Sequence, residues 1–429
     1  NKIPYFDENV EISQYPDIPN NEFTRDEILS MLAKEMLDAA EQLPASQPEV
    51  GRIHKYIALA YAAKIKLYQA YQQDEITHAV TSINKELLRE VVSLCDQVTA
   101  SNRYGLLDDF QGLDLVTNEN GKESVFAIQY SMNDGTESAG RINWSNLLNS
   151  PGGGSPYGGD GFFLPSQDLI NAYQTDANGL PDFNYQSKSD YSWAVLNNGV
   201  YTLQNTTPNV DPRLDFVVGR PTITWKTYPD KPCEGWVRDK DTYGYNCAKR
   251  FWVSPESSDM FNGWPWGASQ LNWQIIRYAD ILLWKAEALI ELNEGNGLET
   301  ARDLINQIRN RARNSAYVKD FNDHSKYAAN YLVNPYPADV WNQDYARQAL
   351  RWETRLEKAL EGERFFDLVR WGIVETTMNK YITAESDNRI YYANAHFTGG
   401  KDEYYPVPNN QYGFSGGKYV QNPGYAPFN

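Results

Sequence analysis

The residues of this sequence that could perform catalysis are few and poorly grouped. Gly413-Phe414-Ser415-Gly416-Gly417 matches the G-x-S-x-G pattern around the nucleophile of many serine hydrolases. That pattern needs an acidic residue and a histidine later in the chain, and neither follows Ser415. We therefore predict a glycine-rich turn at Ser415 and no catalytic residue.

Metal-binding and acid–base chemistry find equally little support. The histidines are scattered and form no metal-binding spacing: His54, His78, His324 and His396. Asp239-x-Asp241 and Asp176-x-Asn178-Gly179 resemble fragments of a calcium loop but lack its other ligands. Glycoside hydrolysis needs two carboxylates at a set separation, and among 56 acidic residues no pair stands out. We predict no cofactor, and a structural Ca²⁺ remains an alternative that the sequence does not favour.

Aromatic residues are the unusual feature, since they make up 14% of the chain, with 12 Trp, 30 Tyr and 16 Phe. Half of the tryptophans fall between residues 225 and 273, among turn-forming and polar residues. Aromatic rings cover the apolar face of a sugar ring at low entropic cost, while polar side chains bind its hydroxyl groups. The sequence thus predicts a ligand platform formed by Trp225, Tyr228, Trp236, Arg238, Asp239, Tyr243, Asn246, Trp252, Trp264 and Trp266.

In this prediction the aromatic residues stack on the ligand, whereas Arg238, Asp239 and Asn246 orient its hydroxyl groups. The alternative is that the tryptophans fill small cores beneath the loops, which for any single one is the better expectation. For the cluster, we expect at least two exposed rings. Second-rank candidates are Trp144, Tyr157 and Trp193.

The net charge of −17 excludes whole classes of partner. Nucleic acids and anionic lipid headgroups both need a basic surface. No apolar run is long enough to span a membrane. The first residues resemble an internal stretch of a protein sequence. We expect an export signal or a lipid-bearing cysteine, if there is one, to lie upstream.

Two blocks of helical periodicity flank a segment rich in turns. Thr24 and Glu27 form a capping box at the start of the first helix, and Pro44 ends it. The spacing of apolar residues predicts further helices at about 52–72, 85–100, 275–292, 298–312 and 346–360, with a short helix after Gly362. Between the blocks, glycine, proline and asparagine break the periodicity, and 124–130 and 214–218 read as strands.

These patterns predict one structural domain in three parts. They are an N-terminal block of helical pairs at 1–111, a loop-rich insertion at 112–270 and a C-terminal helical block with an irregular tail at 271–429. The fold class is all-α, with tetratricopeptide-like helical pairs and a long insertion that carries short β segments. Cys95 is expected to be buried in a helix, and a Cys233–Cys247 disulfide is left open.

Three motifs in the C-terminal third resemble the SusD/RagB family. Trp273 to Ala288 (WQIIRYADILLWKAEA) is similar to its "RYADvLLmyAEA" helix, and Arg355 to Trp371 (RLEKALEGERFFDLVRW) to its "R.ELafEG.RwfDLkRW" block. YPVP at 405–408 and QNPGY at 421–425 resemble its closing motif. The resemblance covers roughly residues 20–110 and 270–429.

This resemblance implies a surface-exposed, outer-membrane lipoprotein of Bacteroidetes with tetratricopeptide-type helices. Such a protein captures oligosaccharide or polysaccharide without catalysis and delivers it to a SusC-like TonB-dependent transporter. Alternatives are a peptide-binding member of the family or a tetratricopeptide interaction scaffold, and a glycoside hydrolase is less favoured. The quoted motifs are scaffold features, so their charged residues are expected to form ion pairs: Arg351, Glu353, Arg355, Glu357, Glu361, Arg364, Asp367 and Arg370.

Overall fold

The structure is a computed structural model that describes residues 3–137, 140–144, 148–150, 152, 154–226, 228–263 and 267–428. For 228–232 it describes the backbone alone. No helix in these ranges is both long and apolar enough to cross a bilayer.

The chain is mainly helical. The N-terminal helices are α1 Arg25–Gln42, α2 Lys55–Ala70 and α3 Lys85–Thr99. Short helices follow in the middle of the chain: α4 Gln167–Ala172, α5 Arg213–Val217 and α6 Lys240–Tyr243. The C-terminal helices are α7 Tyr278–Leu292, α8 Gly297–Asn314, α9 Gln343–Glu357, α10 Arg364–Arg370, α11 Val374–Glu385 and α12 Asn409–Phe414.

Short strands pair into antiparallel two-stranded sheets in the described part of the chain. The first six are β1 Tyr71–Gln73, β2 Val80–Ile83, β3 Ser124–Ile128, β4 Gln174–Thr175, β5 Trp193–Asn197 and β6 Val200–Gln204. The others are β7 Asn209–Val210, β8 Val218–Gly219, β9 Thr224–Trp225, β10 Tyr228–Pro232, β11 Cys247–Ala248 and β12 Trp273–Arg277. The pairs are β1–β2, β3–β12, β4–β7, β5–β6, β8–β11 and β9–β10.

The long helices form one continuous array, since α1 packs on α2, α2 on α3, α3 on α7, and α7 on both α8 and α9. The predicted capping box is present at the start of α1: Thr24 N donates to Glu27 Oε2 at 2.8 Å, and Glu27 N donates to Thr24 Oγ1 at 3.2 Å. On α2, Ala60, Ala62 and Ala63 are fully buried. Their small side chains let the neighbouring helices approach closely.

Two local predictions are wrong, and both fail for tertiary reasons. Residues 214–218 were expected to form a strand, but Arg213–Val217 is the helix α5. Its first residue, Arg213, forms buried ion pairs with Glu353 of α9 at 2.6 Å and with Asp211 at 2.7 Å. The helix predicted to start near 275 begins only at Tyr278, because residues 273–277 form β12 and pair with β3.

A buried network of ion pairs joins the helical blocks to the middle of the chain; we call it the arginine–glutamate network. Glu357 accepts hydrogen bonds from Arg277 at 3.0 Å, from Arg213 at 3.2 Å and from Arg311. Glu353 accepts from Arg213 at 2.6 Å and from Arg309 at 3.0 Å. Because the arginines come from α5, β12 and α8, the network fixes these elements against α9.

The ion pairs expected from the C-terminal motifs are present for most of their charged residues. Arg355 pairs with Asp168 at 2.6 Å, and Arg370 pairs with Asp367 at 2.8 Å. Glu361 accepts from Arg277 at 2.7 Å. Arg351 and Arg364 instead lie over the Trp371 ring, at 5.2 and 5.5 Å from its centroid. The motif is therefore a scaffold for the C-terminal helices.

Glu357 should carry a large share of the stability. Burial alone would raise the pKa of its carboxyl group, but Arg311, Arg277 and Arg213 lower that pKa to about 2. Glu357→Gln should lower the free energy of unfolding by ~3–5 kcal/mol, because it leaves buried guanidinium groups short of a counter-charge. Urea unfolding at neutral pH measures this loss. Asp38→Asn, which breaks an exposed pair with Lys34, is the matched control and should have little effect.

The loss of unfolding free energy caused by Glu357→Gln should depend on pH. An unfolded glutamate takes up its proton near pH 4.5, whereas folded Glu357 holds its charge down to about pH 2. Its stabilising contribution is thus complete above pH 4.5 and is lost as the pH falls toward 2. The stability difference between wild type and Glu357→Gln should shrink across this window. A difference that stays constant from pH 7 to pH 3 would contradict the assignment.

Candidate functional site

The tryptophan-rich segment forms a small core of its own. The side chains of Trp225, Trp236 and Trp252 are only 1%, 4% and 2% exposed. Trp225 and Trp236 meet edge to face at 5.3 Å, and Trp225 Nε1 donates to Tyr157 Oη at 3.1 Å. The prediction that these three rings stand open to a ligand is wrong, and the alternative of burial beneath the loops is correct for them.

Gly219 explains how the rings fit. A Cβ atom at this position would lie 2.5 Å from the Trp225 ring and 2.8 Å from Cys247 Sγ. Cys233 and Cys247 lie in the same core as free thiols, so the disulfide left open by the sequence is not formed in this structure. Cys95 is buried in α3, as predicted.

Two polar residues of the predicted platform, Arg238 and Asp239, have structural partners. Arg238 donates to Gly159 O at 2.6 Å and pairs with Asp160 at 3.2 Å, and its side chain is exposed. Asp239 caps α6 by accepting from Thr242 N at 3.1 Å. Asn246 is buried. Their role toward a ligand stays a prediction.

The remaining aromatic candidates differ in exposure. The Tyr243 side chain is 43% exposed. Trp144 and Trp193 are also exposed, whereas Tyr157 is buried in the tryptophan core. Trp264 and Trp266 lie outside the described residues, as does the side chain of Tyr228.

Tyr243 lies at one end of a row of tyrosines that the sequence analysis missed. Its ring centroid is 6.0 Å from that of Tyr391, which lies 4.5 Å from Tyr392, which in turn lies 5.5 Å from Tyr381. We call these four residues the tyrosine surface. Tyr391 is 47% exposed, and Tyr381 and Tyr392 are partly buried. The Tyr391-Tyr392 dipeptide was the only signal in the sequence, and no periodicity links it to Tyr243.

Arg389 holds this surface in place. It donates to Tyr391 Oη at 3.1 Å and to Pro165 O at 2.8 Å, so it ties the turn after α11 to the residues before α4. Tyr381 is carried by α11. The rings therefore stand on ordered elements, which reduces the entropy lost when they contact a ligand.

A cavity of about 490 Å³ adjoins the tyrosine surface, and Tyr381 and Tyr392 line it. Their hydroxyl oxygens lie 3.3 Å apart, and burial raises the pKa of both phenols, so that each stays a neutral donor and acceptor. Phe163 and Met378 add apolar surface, and Arg364 adds a guanidinium group. Such a mixture of ring faces, hydroxyl groups and charged side chains suits a polar ligand with apolar faces.

Ser415, the candidate nucleophile of the G-x-S-x-G pattern, belongs to a turn, as predicted. Its side chain is buried, donates to Tyr412 O at 2.8 Å and accepts from Tyr419 N at 3.1 Å. Within the described ranges no three His, Cys, Asp or Glu side chains lie together as a metal site would require. Asp176, from one calcium-loop fragment, accepts from the backbone N–H groups of Asn178 and Leu180.

By its architecture this chain is a mainly helical protein in which successive helices pack on one another. Its surface carries exposed tyrosine rings. The sequence itself matches the model of the SusD family over residues 122–425. The chain therefore belongs to the SusD family, as its motifs indicated.

Solved structures with similar folds come from the same family. A SusD-like protein from Bacteroides fragilis is 20% identical, with a TM-score of 0.65 over 99% of this chain and 75% of that chain. A SusD-like carbohydrate binding protein, also from B. fragilis, is 19% identical, with a TM-score of 0.64 over 96% of this chain and 74% of that one. Surface glycan-binding protein A from Bacteroides uniformis is 17% identical, with a TM-score of 0.59 over 98% of this chain and 73% of that one. These likenesses concern the fold, and none of the curated proteins matches the sequence.

The burial of the tryptophan core leads to a direct test. Trp225→Ala should lower the free energy of unfolding by about 3–5 kcal/mol, because it opens a cavity in a packed core. Trp193→Ala, at a side chain that is 45% exposed, should change it little. Urea unfolding followed by circular dichroism compares the two variants. Equal losses would contradict the distinction drawn here between buried and exposed rings.

Proposed function

We propose that this protein captures an oligosaccharide or polysaccharide at the cell surface, without catalysis, and that the tyrosine surface is the main contact. The observation that carries the proposal is the row of tyrosine rings beside a cavity, with Tyr243 and Tyr391 exposed. Sugar rings present C–H faces to aromatic rings, and tyrosine hydroxyl groups can exchange hydrogen bonds with sugar hydroxyls. The names of two structural relatives refer to carbohydrate or glycan binding, which supports the same ligand class.

Polar contacts would come from both sides of this surface. Arg364 lines the cavity, and its guanidinium carries five donors, of which one bonds to Arg351 O at 3.2 Å. Arg238 and Asp239 lie five and four residues before Tyr243 in the chain. We retain both as candidate contacts to sugar hydroxyls.

Delivery to a SusC-like TonB-dependent transporter of the outer membrane, and attachment there through an upstream lipid anchor, follow from membership of the family. Both are proposals for this chain. Immobilised protein should retain such a barrel from detergent-extracted outer membranes of the source organism. Recovery of no transporter by mass spectrometry would count against delivery while leaving glycan capture untouched.

The tyrosine surface can be tested by substitution. Tyr243→Ala combined with Tyr391→Ala should lower polysaccharide affinity about tenfold or more, since a stacked ring contributes roughly 0.5–1.5 kcal/mol beyond its buried area. Calorimetry against a panel of neutral polysaccharides and peptides identifies the ligand and then measures the loss.

Tyr405→Ala is the matched control, because that side chain is 91% exposed and is not part of the tyrosine surface. It should leave binding unchanged. All variants should keep the wild-type melting temperature. Full retention of glycan by the double variant would remove the tyrosine surface from the binding site, and selective binding of peptides would favour a peptide-binding protein.

A further inference from the structure

A second cavity, of about 820 Å³, lies on a different set of elements from the tyrosine surface. Residues 107–118, α5, β9 and the segment after α8 enclose it, and its apolar wall includes Phe110, Phe216, Trp252 and Tyr317. This volume falls within the range of small-molecule sites, which typically hold apolar walls with a few charged or polar groups.

The charged residues that line this cavity have a positive net charge, whereas the whole protein is negatively charged. Four lysines and three aspartates line it, which gives a formal charge of +1 where the whole chain carries −17. The lysines are Lys122, Lys226, Lys249 and Lys319, and the aspartates are Asp108, Asp109 and Asp114. The cavity is thus a local cationic site on an acidic protein.

Two of the lysines have a carboxylate partner and two do not, within the ranges that the structure describes. Lys122 pairs with Asp108 at 2.8 Å, and Lys226 pairs with Asp114 at 2.6 Å. Lys249 Nζ donates only to backbone carbonyls, those of Asp215 and Thr224, each at 2.7 Å.

Lys319 lies 4.1 Å from the centroid of the Tyr327 ring and is exposed. The third aspartate binds backbone N–H groups instead of a lysine. Asp109 accepts from the backbone N–H groups of Gln111 at 2.9 Å and of Ala316 at 3.1 Å. The lysines that line the cavity therefore exceed its aspartates by one, and the buried Asp215 carboxylate, which is outside the lining, acts on Lys249.

Burial makes that charge costly. The Lys249 side chain is almost fully buried, and burial lowers the pKa of its ammonium group to about 8. At neutral pH the group is still mainly protonated. A bound anion would stabilise the charged form, and the aromatic wall would at the same time cover an apolar face of the ligand.

We propose that this cavity binds a carboxylated sugar, such as a uronic acid residue of an acidic oligosaccharide. A uronic acid combines the three required features, because it has a carboxylate for the lysines, hydroxyl groups for the polar rim and a C–H face for the rings. The choice of a sugar rests on the proposed function, whereas the choice of an acidic one rests on the lysines of the cavity.

The test compares digalacturonate with its uncharged methyl ester by calorimetry on the wild-type chain. The acid should bind at least tenfold more tightly than the ester. Lys319→Gln should weaken binding of the acid several-fold and leave that of the ester unchanged. Lys34→Gln, the same charge change at an exposed residue of α1, is the control and should have no effect. Equal affinity for acid and ester, or no binding of the acid, would overturn the proposal.

Chemical labelling provides a readout at Lys319, an exposed lysine of the cavity. Digalacturonate should slow acetylation of Lys319 by acetic anhydride, measured by mass spectrometry, while the methyl ester should not. An unchanged labelling rate would overturn the assignment of Lys319 to the site.

The tyrosine surface serves to separate the two proposals. Tyr391→Ala should leave binding of digalacturonate intact. If neutral polysaccharide binds at the tyrosine surface and digalacturonate does not bind, only the acidic site is wrong. If no carbohydrate of either kind binds, the proposed function itself is wrong.

Discussion

The arginine–glutamate network is the constraint on which the rest of this structure depends. Glu353 and Glu357 lie one turn apart on α9 and bind arginines that come from distant parts of the chain. A buried charge that loses its partner costs several kcal/mol, whereas apolar contacts tolerate small shifts. The middle segment, β12 and α8 must therefore dock on α9 together, and partly docked arrangements leave charged groups uncompensated.

Aromatic residues serve two different purposes on this scaffold. In the middle segment Trp225, Trp236 and Trp252 belong to one buried core, which Gly219 adjoins, and this core stabilises a region that has few long helices. Tyr243 and Tyr391 of the tyrosine surface are exposed to solvent, where each combines a ring face with a hydroxyl group. Tryptophan exposes more apolar area than tyrosine does, so its burial in a small core is the arrangement that the hydrophobic effect favours.

The tyrosine surface and the lysine-lined cavity would select ligands through different interactions. Rings and neutral hydroxyl groups recognise the shape of a sugar and are insensitive to its charge. The cavity instead offers ammonium groups, of which Lys249 is buried and donates to two backbone carbonyls. Together they would allow one acidic polysaccharide to be held by stacking along its length and by charge at one residue.

The sequence by itself determined the features that depend on neighbours along the chain. Thr24 and Glu27 placed the start of α1, apolar spacing placed the long helices to within a few residues, and the C-terminal motifs indicated the family and its ion pairs. These signals are local, since a helix cap or a helical stripe is complete within one or two turns.

Only the tertiary structure decided which aromatic rings are exposed and where α5 and β12 form. Trp225 is buried because Gly219 and Trp236 contact it, and Tyr243 joins the tyrosine surface because Tyr391 lies 6.0 Å away. Residues 214–217 are helical although their composition suits a strand, since Arg213 is held by Asp211, Glu353 and Glu357. Exposure and long-range pairing depend on contacts between residues far apart in sequence, and no local pattern records them.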